Sequence, residues 1–146
     1  MEIYNRKAKY EYFILETYEA GIALTGTEIK SIRNGKANLK DSYAIIKNGE
    51  VYILNMHISK YDEGNIFNHD ETRTRKLLLH KKEILKIRDK IEQDGFTLIP
   101  IKLYFKGNHA KLEIGIAKGK KSYDKRETIK KRDQEREIKS SLKNRW

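Results

Sequence analysis

The chain has no cysteine among its 146 residues. That excludes disulfides and thiolate metal sites and gives no sign of an oxidising compartment. It has one proline, Pro100, which marks an edge, a strand start or a bulge. No apolar run approaches the roughly 20 residues of a membrane span, and the amino terminus has no signal-peptide core. The expected location is therefore the cytoplasm, with no membrane partner. Also missing are a Gly-x-Ser-x-Gly elbow, a phosphate-binding loop and an activated cysteine, so covalent and phosphoryl-transfer chemistry has no visible equipment. His57, His69 and His80 with Asp62, Asp70 and Glu71 follow no compact ligand spacing. The expectation is a protein with no metal, no cofactor and no enzymatic activity.

Charge is abundant. Thirty-two Lys and Arg against 21 Asp and Glu leave a net +11. This favours an anionic partner, because each phosphate neutralised by a cation releases condensed counterions. The surplus is uneven. From Gly119 to Trp146 eleven basic residues less five acidic ones give +6, and the apolar residues are only Ile129, Ile138, Leu142 and Trp146, too few to offset ordering entropy. The sequence thus divides into a body, residues 1–118, and a basic tail, residues 119–146, disordered alone and helical on a partner. Met1–Lys9, with Arg6, Lys7 and Lys9, reads as a mobile basic lead-in.

Within the body, Tyr10–Glu16 is a first strand, and Glu19-Ala20-Gly21 turns into a short second one at Ile22–Leu24. Thr25-Gly26-Thr27-Glu28 fits a capping box, opening a helix with Ile29 and Ile32 on its buried stripe and Gly35 as its left-handed stop. Asp41–Lys47 and Glu50–Leu54 flank Asn48-Gly49, the signal of a type I′ hairpin. Asn55–Thr74 is a long polar connection. Ile84, Leu85, Ile87 and Ile91 make Lys81–Gln93 an amphipathic helix that stops at Asp94-Gly95. Thr97–Phe105 and Ala110–Ala117 alternate as strands and are joined at Gly107-Asn108. About six short antiparallel strands with two to three packed helices predict a mainly β fold with helices, a small closed barrel of the oligonucleotide-binding type.

Several residues have two readings. Glu28 is the capping-box acid, and it is also able to accept from base or ribose donors at an RNA face. Arg73, Arg75, Lys76, Lys81 and Lys82 form either a solvated face or a phosphate-contacting run. Tyr10, Tyr12, Phe13, Tyr43, Tyr52, Tyr104 and Phe105 are core, or stacking platforms for unpaired bases. In the tail, Tyr123-Asp124-Lys125-Arg126 combines one ring with charges of both signs, a mixture that simple attraction to a polyanion does not require.

Long stretches carry a resemblance: Asn5-Arg6-Lys7-Ala8, Glu16-Thr17-Tyr18-Glu19-Ala20-Gly21-Ile22, Leu24-Thr25-Gly26-Thr27-Glu28-Ile29-Lys30-Ser31, Gly35–Tyr43, Leu54–Ser59, Phe67-Asn68-His69-Asp70, Arg75-Lys76-Leu77-Leu78-Leu79-His80 and Ala117-Lys118-Gly119-Lys120-Lys121. Together they closely resemble the bacterial SsrA-binding protein family (small protein B, SmpB), the partners of transfer-messenger RNA (tmRNA).

The resemblance implies a monomeric adaptor of trans-translation, the ribosome rescue and peptide-tagging system. Such an adaptor binds the tRNA-like domain of tmRNA, promotes its charging by alanyl-tRNA synthetase, and is delivered with it by GTP-bound elongation factor Tu to stalled ribosomes. It implies RNA-facing roles in the body for Glu28, Leu78, His80 and Lys111, and the basic residues Lys30, Arg33, Arg75 and Lys76 are expected to join them. For the tail it implies that Tyr123, Asp124, Lys125 and Arg126 meet the 16S rRNA of the decoding centre and the empty mRNA channel, and Gly119, Lys120 and Lys121 are expected to join them. Some relatives have histidine where this chain has Tyr123, which points to stacking there, and some have asparagine at His80. The alternatives are a general basic RNA-binding or ribosomal protein, and a metal-dependent nuclease.

Overall fold

The structure, a computed structural model, describes residues 1–61 and 68–121. Asp62, Gly64 and Phe67 of the long connection lie outside them, as does the tail from 122 onward with Tyr123, Asp124, Lys125 and Arg126. Among the described residues, no helix is long and apolar enough to cross a membrane.

The fold is mainly β with three helices among the described residues. In chain order the elements are β1 (Glu2–Tyr4), α1 (Ala8–Glu11), β2 (Tyr12–Ile22), α2 (Gly26–Arg33), β3 (Ala37–Asn38), β4 (Tyr43–Lys47), β5 (Glu50–Leu54), β6 (His57–Ile58), β7 (Arg75–Leu78), α3 (Lys81–Asp94), β8 (Thr97–Lys106) and β9 (His109–Gly119). All pairings are antiparallel. The main sheet runs β1-β8-β4-β5-β7-β2-β9, with a further pairing between β8 and β9, while β3 and β6 form a separate ribbon.

Local chemistry explains most boundaries. The Thr25 hydroxyl accepts from the Glu28 amide and the Glu28 carboxylate accepts from the Thr25 amide, the reciprocal bonds that satisfy two orphan donors of α2. Asn48 and Gly49, at φ 53° and 75°, make the tight turn between β4 and β5. Gly95, at φ 67°, ends α3.

The interior is aliphatic. Ile22 and Ala20 from β2, Val51 and Ile53 from β5, Leu77 from β7, Leu98 and Leu103 from β8, and Leu112, Ile114 and Ile116 from β9 point into one core. Ile32 of α2 and Ile84 and Ile87 of α3 cover it. Each such Val, Leu or Ile side chain contributes about 1.5–3 kcal/mol on burial. No described aromatic is fully buried. Tyr18, Phe96 and Phe105 pack at its margin, and Phe13 and Tyr43 are exposed. The small interior is filled by branched aliphatics, leaving the rings to the rim.

Four expectations are corrected. Residues 1–9 are not a free lead-in: β1 pairs with Tyr104, Leu103 and Lys102 of β8, Ile3 packs on the core, and Asn5 bonds to Pro100 and Ile101 carbonyls. There is no turn at Glu19-Ala20-Gly21, because partners on both sides of β2 hold Gly21 extended opposite Leu78 and Lys111. The polar connection contains β6, paired to β3, and sends Met56, Ile58 and His69 inside. The strands number nine among the described residues, against the six expected, because β1, β3 and β6 are only two or three residues long and carry no legible period.

Two bulges shape the end of the sheet near α1. β2 slips by one residue between Ile14 and Glu16, and β8 slips between Pro100 and Lys102, so the proline sits at a bulge. Between them a second small core of Ala8, Ile99 and Ala117, with Tyr12 and Ile14, seats α1 on the sheet.

Candidate RNA-binding surface

Neighbouring strands bring three candidates into one row. Leu78 lies opposite Gly21, Gly21 opposite Lys111, and Lys111 opposite Tyr104. The residues next to them in sequence, Leu77, Ala20, Leu112 and Leu103, face the core, so this row faces outward. Leu78 is 53% exposed. Gly21 makes room for it: a Cβ there would stand 3.3 Å from that of Leu78. Lys76 and His80 are exposed on the same side of β7 and at the start of α3. Lys76 also reaches Glu50 at 3.6 Å, and the His80 amide donates to Glu83.

At the other end of the row, the Tyr104 hydroxyl donates to Glu19. Burial, that bond and the charge of Glu113 push the tyrosine's pKa up, and the same bond is the main cause that lowers Glu19. Lys102 lies 4.9 Å from the Tyr104 ring centre.

Behind this face lies a charged cluster. Glu28 and Arg75 are both fully buried. Arg75 donates through Nε to Glu28, through Nη1 to the Met56 carbonyl at 2.6 Å, and through Nη2 to the carbonyls of Asp70 and Glu71 at 3.3 and 3.1 Å. It ties α2 to both ends of the long connection. Arg73 meets the same carboxylate from outside: Nε donates to both oxygens at 3.2 and 3.1 Å, and Nη2 to Oε1 at 2.5 Å and to the Ala23 carbonyl at 3.0 Å. Burial alone would raise the Glu28 pKa. The bonds from Arg73, the Thr25 amide and Arg75 outweigh it and hold the carboxyl below its ordinary value. Desolvation lowers Arg75, opposed by Glu28. Glu28 and Arg75 were expected to face RNA. They are instead internal struts, since neither presents surface.

Lys30 and Arg33 are exposed on α2 but lie over rings, Lys30 5.4 Å from the Tyr61 centre and Arg33 4.3 Å from that of Phe105. Neither joins the Leu78–Lys111 row. Gly119 ends β9 opposite Tyr12, and Lys121 is exposed. Lys120 is engaged by the body: its amide donates to the Glu11 carbonyl at 2.8 Å, its Nζ to the Lys9 carbonyl at 2.9 Å, and Nζ lies 4.8 Å from the Phe13 ring centre. The fold therefore extends past the boundary expected at 119.

Two of the three histidines considered for a metal are occupied otherwise. His57 pairs with Glu71 at 2.6 Å, and buried His69 bridges the Thr27 hydroxyl and the Ile58 carbonyl. Arg73 is the residue that sequence reasoning left in an undivided basic run. Its spacing from Arg75 was the available signal, because two residues along an extended chain return to the same side.

This geometry can be set beside known proteins. The family model described as SmpB protein matches residues 2–144. The chain belongs to the SmpB family. An SsrA-binding protein of Ligilactobacillus salivarius (strain UCC118) is 64% identical over 140 residues, covering 96% of this chain and 90% of that one. One from Carboxydothermus hydrogenoformans is 61% identical over 142 residues, covering 97% and 95%. Among solved structures, one described as "tmRNA-SmpB: a journey to the center of the bacterial ribosome" matches with a TM-score of 0.70 and 49% identity, covering 83% of this chain and 85% of that one.

Proposed function

We propose that this chain is the tmRNA-binding adaptor of trans-translation: it holds the tRNA-like domain of tmRNA on its body and brings it to stalled ribosomes. The observation that carries the reading is full-length family membership together with a surface suited to RNA. Leu78, Lys76, His80 and Lys111 offer an apolar contact, hydrogen-bonding groups and cations on one side of the sheet. Folded RNA is read by shape, ribose hydroxyls and phosphates, and such a mixed face fits it better than a uniformly basic one.

The pairings that lead from β8 through β4, β5, β7, β2 and β9 back to β8 support an oligonucleotide-binding-type barrel. In the proposal the protein is a monomeric, non-enzymatic adaptor working in the cytoplasm. Alanyl-tRNA synthetase and GTP-bound elongation factor Tu act on the same RNA. The basic segment beyond Lys121 enters the decoding centre and mRNA channel, with Tyr123, Asp124, Lys125 and Arg126 meeting 16S rRNA.

The test is competition between labelled tmRNA and bulk tRNA at near-physiological salt, for the full chain and a variant ending at Lys121. A preference of roughly a hundredfold, about 2.7 kcal/mol, retained by the shortened protein while peptide tagging is lost, is the expected result. Equal affinity for both RNAs, collapsing on truncation, would indicate a general basic arm and refute the adaptor reading.

A further inference from the structure

The Glu28 cluster has a charge imbalance with a direction. One carboxylate faces two guanidinium groups. Arg75 is enclosed, with its Nε on Glu28 and both terminal nitrogens on backbone carbonyls. It has nothing left to offer a ligand and cannot reach solvent. The carboxylate neutralises that buried charge, and the surplus positive charge falls on Arg73, whose side chain is 33% exposed.

Arg73 is also held still. Its Nε and Nη2 are committed to Glu28 and to the Ala23 carbonyl, while among the described residues no acceptor meets Nη1. A guanidinium fixed through Nε and Nη2, on a side chain one-third exposed, keeps the two N–H groups of Nη1 for a further acceptor on a group that has already lost its rotamer freedom. The residue it grips connects it to the end of the outward row. Ala23, which it grips, donates its amide to the Lys76 carbonyl and lies two residues beyond Gly21, between Leu78 and Lys111.

We propose that Arg73 is a phosphodiester-binding residue of the RNA face, and that buried Glu28 acts on RNA only through it, as a positioning residue. The proposal rests on the adaptor reading above. It reconciles the expected importance of Glu28 for RNA with a carboxylate that has no surface. It also explains why an acid belongs behind an anion-binding face, since it orients one cation while cancelling another.

The experiment measures affinity for a transcript of the tRNA-like domain of tmRNA across a salt series, using the full chain and the variants R73A, R73K and E28D. R73A should bind roughly tenfold more weakly and lose about one unit from the slope of log K against log salt, the signature of one phosphate contact fewer. R73K should restore the slope but only part of the affinity, because one ammonium cannot hold Glu28 and Ala23 and still meet a phosphate. E28D keeps the charge but withdraws it by one methylene. It should weaken binding several-fold in the native background and have no further effect in R73A.

An R73A protein with native affinity and native salt slope would overturn the proposal. So would E28D weakening binding equally with and without Arg73. Failure of the native chain to prefer this transcript over bulk tRNA would instead refute the adaptor reading, which keeps the two failures apart.

Discussion

Replacing Glu28 by alanine should be among the most damaging single changes in the body. The substitution leaves Arg75 fully enclosed with no carboxylate, and breaking a buried pair by removing one partner costs about 3–5 kcal/mol. The Thr25 amide also loses its acceptor, so α2 loses half of its capping box. Against a total stability of about 5–15 kcal/mol, this is a large share. With a urea dependence of about 2 kcal/mol per molar, the denaturation midpoint should fall by about 2 M. A double-mutant cycle with R75M separates the pair from its surroundings. E28A and R75M together should destabilise less than their sum, by about 2 kcal/mol, because the second change removes the charge that the first orphaned.

The acid limb supplies a second readout. The Glu28 carboxyl is held below its ordinary value in the folded chain, so its stabilisation is present above the unfolded carboxylate value and is lost as pH falls through the lower folded value. The native protein should therefore lose stability below about pH 4.5 more steeply than E28A does. An E28A protein within about 1 kcal/mol of native, additive with R75M and with an unchanged acid limb, would refute the account of this cluster.

Gly21→Ala should separate binding from stability. Its Cβ would press on the Leu78 Cβ at 3.3 Å, which no rotamer change can move, so the paired strands must give slightly at a modest cost of about 1 kcal/mol while affinity for the tRNA-like domain falls several-fold; urea titration and filter binding check the two parts. Gly115→Ala should do the reverse, since a Cβ there would lie 2.8 Å from Ile101 Cδ1 and 3.1 Å from Ile14 Cγ2, at a cost of about 1–3 kcal/mol by thermal melting. Gly49→Ala, at φ 75°, should cost about 1 kcal/mol by the same measurement, with RNA affinity unchanged.

What was legible in the sequence was what local chemistry decides. Thr25 with Glu28, Asn48 with Gly49, and Gly95 after an apolar stripe announce themselves because the interacting groups are a few residues apart. The alternation from Leu98 to Ile116 did so because one strand face is buried. Gly21 misled because its intrinsic freedom suggests a turn, and only the strands on both sides hold it extended. Arg75 misled more deeply. A basic run reads as surface until a carboxylate 47 residues away in sequence is folded against it. Leu78 and Lys111 were named from family likeness alone, and their adjacency across Gly21 is a fact of register that no single segment contains.

The double grip on Lys120 also has a mechanical meaning. The last described residues leave β9 with a backbone amide and a side chain both tethered to α1, which is itself seated by Ala8 on Ile99 and Ala117. The anchor is thus a splint across a joint that would otherwise swivel about one peptide bond. Whatever follows Lys121 starts from a bearing fixed in the frame of the body.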